Sequence, residues 1–319
     1  MPLVLKLLAQ RIALGLLLLF LVSILIFVGT NILPGDVAAS ILGQSATPEA
    51  LSNLRRDLGL NEPAFTRYIG WLSGALVGDL GTSLASGLDI TTEIGKRLGN
   101  TLFLAFWAAI IAVPLAIFLG LVAVRYRERW PDKMISAVTL ASISIPEFLI
   151  GYVLMFVIGV QMRWFPSTAI SYRPDADLLT KLEAIALPIA VLTLVVLAHM
   201  MRMTRAAILN VMQSAYIETA ELKGLRTFTI IWKHAFPNAI APVVNVVMLN
   251  LAYLVVGVVV VEVVFVYPGM GGYLVDHVSK RDIPVVQACG LIFAAVYIGL
   301  NMIADIVAIL ANPRLRHPK

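Results

Sequence analysis

Six long apolar runs dictate what this chain can become. Residues 12–32, 101–124, 135–160, 184–201, 239–266 and 285–310 are each long and oily enough to cross a bilayer, which takes a helix of roughly 20 residues. In hydrocarbon every backbone N–H and C=O must find a partner within the chain, so the runs are expected as helices. The remaining composition agrees, with 60% apolar and 13% charged residues against about 25% charged in a soluble domain. The formal charge is +5, yet no basic cluster with interleaved aromatics occurs, which argues against nucleic acid as a partner. The lone cysteine, Cys289, lies in an apolar run, has no second cysteine to pair with, and reads as a packing residue.

Lys6 and Arg11 precede the first run in the manner of a signal peptide. The apolar core exceeds the roughly 7–15 residues of such peptides, so an uncleaved first helix is expected. An even number of spans puts both ends on one side. That side holds Lys6, Arg11, Arg125, Arg127, Arg129, Lys133, Arg202, Arg205, Lys223, Arg226, Lys233, Arg314, Arg316 and Lys319, fourteen of the 24 basic residues. The positive-inside rule then places both termini in the cytoplasm.

Two connections are long. Residues 33–100 follow the first span on the outer side, too long for a structureless loop in a compact protein. Thr47 suits an N-cap, Pro48 the first helical position and Gly59 a helix stop, while Phe65, Tyr68, Ile69, Trp71, Leu72 and Leu76 recur at helical spacing over 63–76. Residues 78–83, GDLGTS, read as a turn. The loop is expected as a folded helical cap that docks or gates; a helix pair lying on the membrane surface is the plainer alternative. The second long connection, 202–238, is cytoplasmic. AYIETAELKG reads as a helix stopped by Gly224; Thr227 then caps a second helix, which Pro237 is expected to interrupt. Tyr216, Ile217, Ala220 and Leu222 would be exposed apolar side chains there unless lipid headgroups or a protein cover them.

Polar residues within the spans face the bundle interior by default. Ser144, Glu147, Asn245, Met248 and Asn250 are candidates for a translocation path, with Pro146 expected to kink the helix ahead of Glu147. Glu262, Asn301 and Asp305 are candidates for structural polar contacts within the membrane, with Glu262 and Asp305 fixing spans five and six. No catalytic constellation is found. There is no glycine at the P-loop spacing before Gly95-Lys96, no HExxH or Cys/His cluster among His199, His234, His277 and His317, and no GxSxG elbow. A transport subunit binding no cofactor or metal is expected, not an enzyme.

ETAELKG, with HAFP ending thirteen residues beyond its glycine, resembles the EAA motif of ABC transporter permeases. Glu218, Ala220, Gly224 and Pro237 match in type and spacing; Thr219, His234 and Phe236 depart from it. LPGD (33–36), DLGL (57–60), GDLGTS (78–83), SIPEF (144–148), VEVVFVYPGMG (261–271) and RDIPVVQ (281–287) resemble the dipeptide/oligopeptide/nickel branch of these importers. The resemblance implies an all-α bacterial inner-membrane protein, a single permease domain over 1–319. It would have six transmembrane helices of the type I ABC importer permease type, a folded extracytoplasmic loop after the first, and a coupling loop at 202–238. It further implies a second homologous permease, two ABC ATPase subunits carrying ATP and Mg, and an extracytoplasmic solute-binding protein. Tyr216, Ile217, Glu218, Thr219, Ala220, Leu222, Lys223 and Gly224 would form the ATPase-coupling helix. Burying about 300 Å² of that helix in an ATPase groove would contribute several kcal/mol at about 25 cal/mol per Å², before association costs. The solute would be a di- or oligopeptide or a related small molecule. An ATPase-independent secondary transporter is the alternative, but the inverted repeats and charge relays it would need are not found.

Overall fold

The structure is a computed structural model that describes residues 2–32, 37–42, 46–57 and 59–311. The LPGD motif at 33–36, Leu58 of DLGL, and Arg314, Arg316 and Lys319 lie outside the described residues. The chain begins with α1 (Pro2–Ile32), and the first long connection carries α2 (Val37–Leu42), α3 (Pro48–Asp57) and α4 (Ala64–Leu76). Next come α5 (Ile90–Arg125), α6 (Trp130–Ser144) and α7 (Glu147–Leu154), the last continuing as a π-helix over Met155–Gln161. A 3₁₀ turn (Ala169–Ser171) and α8 (Leu178–Ala184) lead to α9 (Ala186–Met212) and α10 (Ala215–Leu222). The chain then runs through α11 (Thr227–Thr229), a π-helix at Ile230–Ala235, α12 (Phe236–Phe265), α13 (Met270–Ser279) and α14 (Ile283–Ala311).

Among the described residues five stretches are long and apolar enough to cross a membrane: Lys6–Ile32, Ile90–Arg125, Ala186–Met212, Thr227–Phe265 and Ile283–Val307. The third expected span differs, because α6 and the helix from Glu147 to Gln161 meet at 102°. Pro146 has no N–H to give and pushes the residue before it out of the helical region. Ile145 is accordingly extended, at φ −91° and ψ 128°. The described residues hold six spans if this bent pair is counted as one of them.

Helix ends also correct several expected boundaries. Asp89 caps α5 by accepting the Thr92 N–H at 2.8 Å, so residues 90–100 belong to a helix and not to the outer loop. The Thr92 hydroxyl, 2.6 Å from the same carboxylate, helps hold Asp89 below the usual carboxylate range. Arg202 and Arg205 lie on α9, which continues to Met212, so the second long connection begins later than expected. Thr227 is the first residue of α11 and Arg226 its cap. Pro237 does not interrupt the following helix. It sits at the start of α12, directly after the π-helix, where the hydrogen-bond ladder changes register and a residue lacking an N–H is accommodated.

α9 forms the centre. In its most apolar stretch 61% of residues are buried, against 11% in α1, and it packs on α5, α12, α6 and α7. Its Leu187, Val191, Leu192, Val196 and Met200 meet Leu104 and Ala108 of α5 and Val258 and Phe265 of α12. α1 lies outside, against α14, and keeps Leu14, Leu16 and Leu25 exposed. A helix apolar all round yet unburied fits a lipid environment.

Candidate functional site

The α10 helix is short, and its sequence divides it into two faces. Ile217 is 1% exposed and Ala220 7%. They join Val124 of α5, Ile208 of α9, and Ile230, Ile231 and Ala235 in one apolar cluster. Both are expected to be exposed unless lipid headgroups or a protein cover them; the cover is this chain itself, to which they anchor the helix. Glu218, Thr219, Lys223 and Gly224 are exposed, as are Tyr216 at 44% and Leu222 at 83%. Gly224 has φ +73°; its N–H donates to the Glu221 carbonyl at 2.8 Å, and the Leu225 N–H reaches back to the Ala220 carbonyl at 3.3 Å. This is the glycine stop expected from the sequence.

One turn along α9 from Ile208 stands Arg205. Its Nε and one terminal nitrogen donate to the two oxygens of Asp132, at 2.9 and 2.8 Å. Asp132 lies in the first turn of α6, is 4% exposed, and also accepts the Glu128 N–H at 3.0 Å. The sequence offered a signal here, an acid in a basic turn (RERWPDK) and an arginine ending an apolar run. It served only as charge bias, and the pairing went unread.

The membrane polar residues separate. Ser144 donates to the Leu140 carbonyl and Asn250 to the Val246 carbonyl, each within its own helix, at 2.9 and 2.8 Å. Glu147 begins α7, immediately past the break, and is half-buried; Asn245 and Met248 are half-buried on α12, which packs against α7. The path candidates thus occupy the broken span and a short stretch of its neighbour. Asn301 donates to Tyr297 within α14 at 2.8 Å. Asp305 does not tie spans five and six: it pairs with Arg11 at 2.8 Å, joining α14 to α1.

Glu262 is fully buried and organises one end of the bundle. Its carboxylate accepts the Thr101 hydroxyl at 2.6 Å and the Gly271 and Gly272 N–H groups at 2.7 and 3.1 Å. Those two amides open α13, so the carboxylate caps the helix where N–H groups lack partners. Beside it the Tyr267 hydroxyl donates to the Asn100 carbonyl at 2.8 Å, and burial raises the phenol well above its ordinary range. A second knot at this end was missed by sequence reasoning. Asp282, 1% exposed, accepts the Ser83 hydroxyl at 2.6 Å and the Ala85 and Leu84 N–H groups at 3.1 and 3.2 Å. It holds the GDLGTS turn against RDIPVVQ. Between α5, α12 and α13 lies a cleft of about 620 Å³, whose lining includes Glu93, Arg97, Asp276 and Lys280. Among the described residues no group of three or more His, Cys, Asp or Glu could hold a metal ion.

Comparison with known proteins gives this geometry its context. A family model described as "Binding-protein-dependent transport system inner membrane component" matches residues 112–317, and its N-terminal counterpart matches residues 4–104. The glutathione transport system permease protein GsiC of Escherichia coli O6:H1 is 36% identical over 299 residues, covering 94% of this chain and 95% of that protein. A putative peptide transport system permease protein of Brucella abortus (strain 2308) is 34% identical over 312 residues, covering 98% of this chain and 99% of the relative. A solved structure described as inward facing conformations of the MetNI methionine ABC transporter superposes with a TM-score of 0.48 at 17% identity, over 68% of this chain and 95% of the other.

Proposed function

This chain belongs to the inner membrane components of binding-protein-dependent transport systems, and on that premise we propose that it passes small peptides or glutathione-like solutes inward, coupled to ATP hydrolysis on separate subunits. It is an ABC importer permease of the peptide branch, a transport component and not an enzyme, and an EAA motif and coupling helix are expected for the family. Family membership supports ATP-driven import over the ATPase-independent alternative.

The observation that carries the reading is the division of α10. Two buried side chains anchor the helix on the π-helix at Ile230–Ala235, in a cluster shared with Ile208 of α9 and Val124 of α5, while Tyr216, Glu218, Leu222 and Lys223 stay exposed. A helix held by its own chain on one face can act as a rigid lever for an ATPase docked on the other. The ATPases bring ATP and Mg, a second permease completes the path, and an extracytoplasmic binding protein delivers solute. Alternating access then follows from ATPase closure moving α10. Both termini lie in the cytoplasm, and the α3–α4 segment lies outside, where the binding protein docks.

The test is uptake by the complex purified with its partner subunits and reconstituted in vesicles. Glu218→Arg is expected to leave the chain inserted and to abolish ATP-driven uptake; unchanged uptake would remove α10 from the coupling role. Ligand titration of the binding protein with dipeptides, longer peptides and glutathione identifies the solute. Failure of all three to bind would overturn the solute assignment and leave the coupling intact.

A further inference from the structure

The two halves of the broken third span are tied to the rest of the protein in different ways. α7 packs on α12 and α9 within the bundle; α6 lies along α9 and α5, and its first turn is in addition pinned to α9 by the Asp132–Arg205 pair. That pair is bidentate, with contacts of 2.9 and 2.8 Å. The fork geometry of a guanidinium on a carboxylate fixes direction as well as distance. Asp132 is 4% exposed and also closes the α5–α6 turn through the Glu128 N–H. A carboxylate buried that far cannot slide away from its partner without losing its charge compensation. Three residues beyond Arg205, Ile208 is fully buried in the apolar cluster that also holds Ile217 and Ala220 of α10, and the π-helix at Ile230–Ala235 packs on both α10 and α9. Thr204, beside Arg205, is also fully buried, and α9 is continuous from Ala186 to Met212. Moving α10 therefore moves the turn of α9 that carries Arg205. From Asp132, α6 runs unbroken to Ser144, ending at the 102° bend that precedes Glu147.

We propose that the Asp132–Arg205 ion pair is a positioning element that transmits movement of α10, through α9, to α6 and so to the break at Pro146. The inference rests on the coupling role of α10 given above. α6 acts as a push-rod between a cytoplasmic anchor and the bend. Neither residue touches the ATPase or the solute in this scheme, and the effect of losing the pair is on coupling rather than on either partner's binding.

ATP hydrolysis and solute uptake are measured together in the reconstituted complex of this chain with its partner subunits. Asp132→Asn and Arg205→Gln are expected to raise the ATP consumed per solute by roughly ten-fold, within the usual range of coupling between sites. Hydrolysis itself should remain close to wild type. Arg205→Lys keeps a cation within reach of the carboxylate and should restore much of the ratio. Spin labels at Leu225→Cys, just past the coupling helix and exposed, and at Leu149→Cys, in a Cys289→Ala background, add a second readout. Their separation should change on ATP binding with the pair intact and not in Asp132→Asn. Proportional loss of hydrolysis and uptake, or a normal ratio in both neutral variants, would overturn the proposal. If Asp132→Asn does not assemble, the Arg205→Gln and Arg205→Lys ratios decide. A wild-type complex without ATP-driven uptake would instead refute the α10 reading, so the two failures are distinct.

Discussion

Gly224 and Glu262 show how differently two residues of one chain can be constrained. A side chain on Gly224 would meet nothing within 4 Å, so only its φ of +73° opposes substitution. Gly224→Ala is expected to cost about 1–2 kcal/mol of local strain, the ordinary left-handed penalty, and to leave uptake largely intact. Gly224→Pro forces φ to about −65° and removes the N–H that binds Glu221, so it should abolish uptake while the protein still inserts. Equal uptake by the two variants would show that the turn does not position α10. Glu262 is constrained by its partners. Glu262→Gln replaces an acceptor-only group by an amide facing three donors, from Thr101, Gly271 and Gly272. About 1–3 kcal/mol of stability should be lost, read as a lowered unfolding midpoint in detergent. An unshifted midpoint would mean that the buried acceptor is dispensable. A Cβ on Gly269 would collide with the same carboxylate, which explains a glycine directly before α13. Gly224 was legible in the sequence because its signal is local. The role of Glu262 was not, since Thr101 lies 161 residues away and no local pattern announces the pairing.

At the scale of elements, the two faces of α10 separate stability from the coupling proposed for it. Ile217 is 1% exposed inside the apolar cluster, whereas Leu222 is 83% exposed. Ile217→Ala should cost about 2–5 kcal/mol, the range for truncating a buried aliphatic side chain. Leu222→Ala should leave the unfolding midpoint unchanged and weaken co-purification of the ATPase. Identical effects of the two on both measurements would contradict the two-faced helix. Sequence periodicity gave α10 its ends, and Thr47 its place as cap of α3, where its hydroxyl accepts the Ala50 N–H at 3.2 Å. It did not resolve which face of α10 is covered, because a short amphipathic helix has several apolar residues and only tertiary packing chooses among them. The two prolines that mattered also carried opposite outcomes. Pro146 breaks its span by 102°, while Pro237 is absorbed beside a π-helix. A single proline in an apolar run has both options, and neighbouring helices decide between them.

Across the whole molecule, specific contacts sort the two ends of the bundle without reference to charge counting. Thr30 meets Gln287 at 2.8 Å, Ser23 meets Tyr68 at 2.8 Å, and Asp282 holds Ser83, which puts α4 and α13 at one end. Arg11–Asp305 and Arg205–Asp132 lie at the other, with α10. The runs of α1, α5, α9, α12 and α14 between these ends were legible from apolar length alone. The knots that align them were not, because each pairs residues far apart in sequence. The excess of Lys and Arg at the α10 end is the ground for proposing that this end faces the cytoplasm, a bias set during insertion and not by packing. The orientation has a direct test that uses the exposure of Glu62 and Lys223. Each is replaced in turn by cysteine; Cys289 is fully buried and should remain silent. A membrane-impermeant maleimide added to intact spheroplasts should label Glu62→Cys and leave Lys223→Cys untouched, and lysis should expose the second. The reverse pattern would invert the topology, placing the α3–α4 segment in the cytoplasm and removing α10 from the reach of any cytoplasmic ATPase.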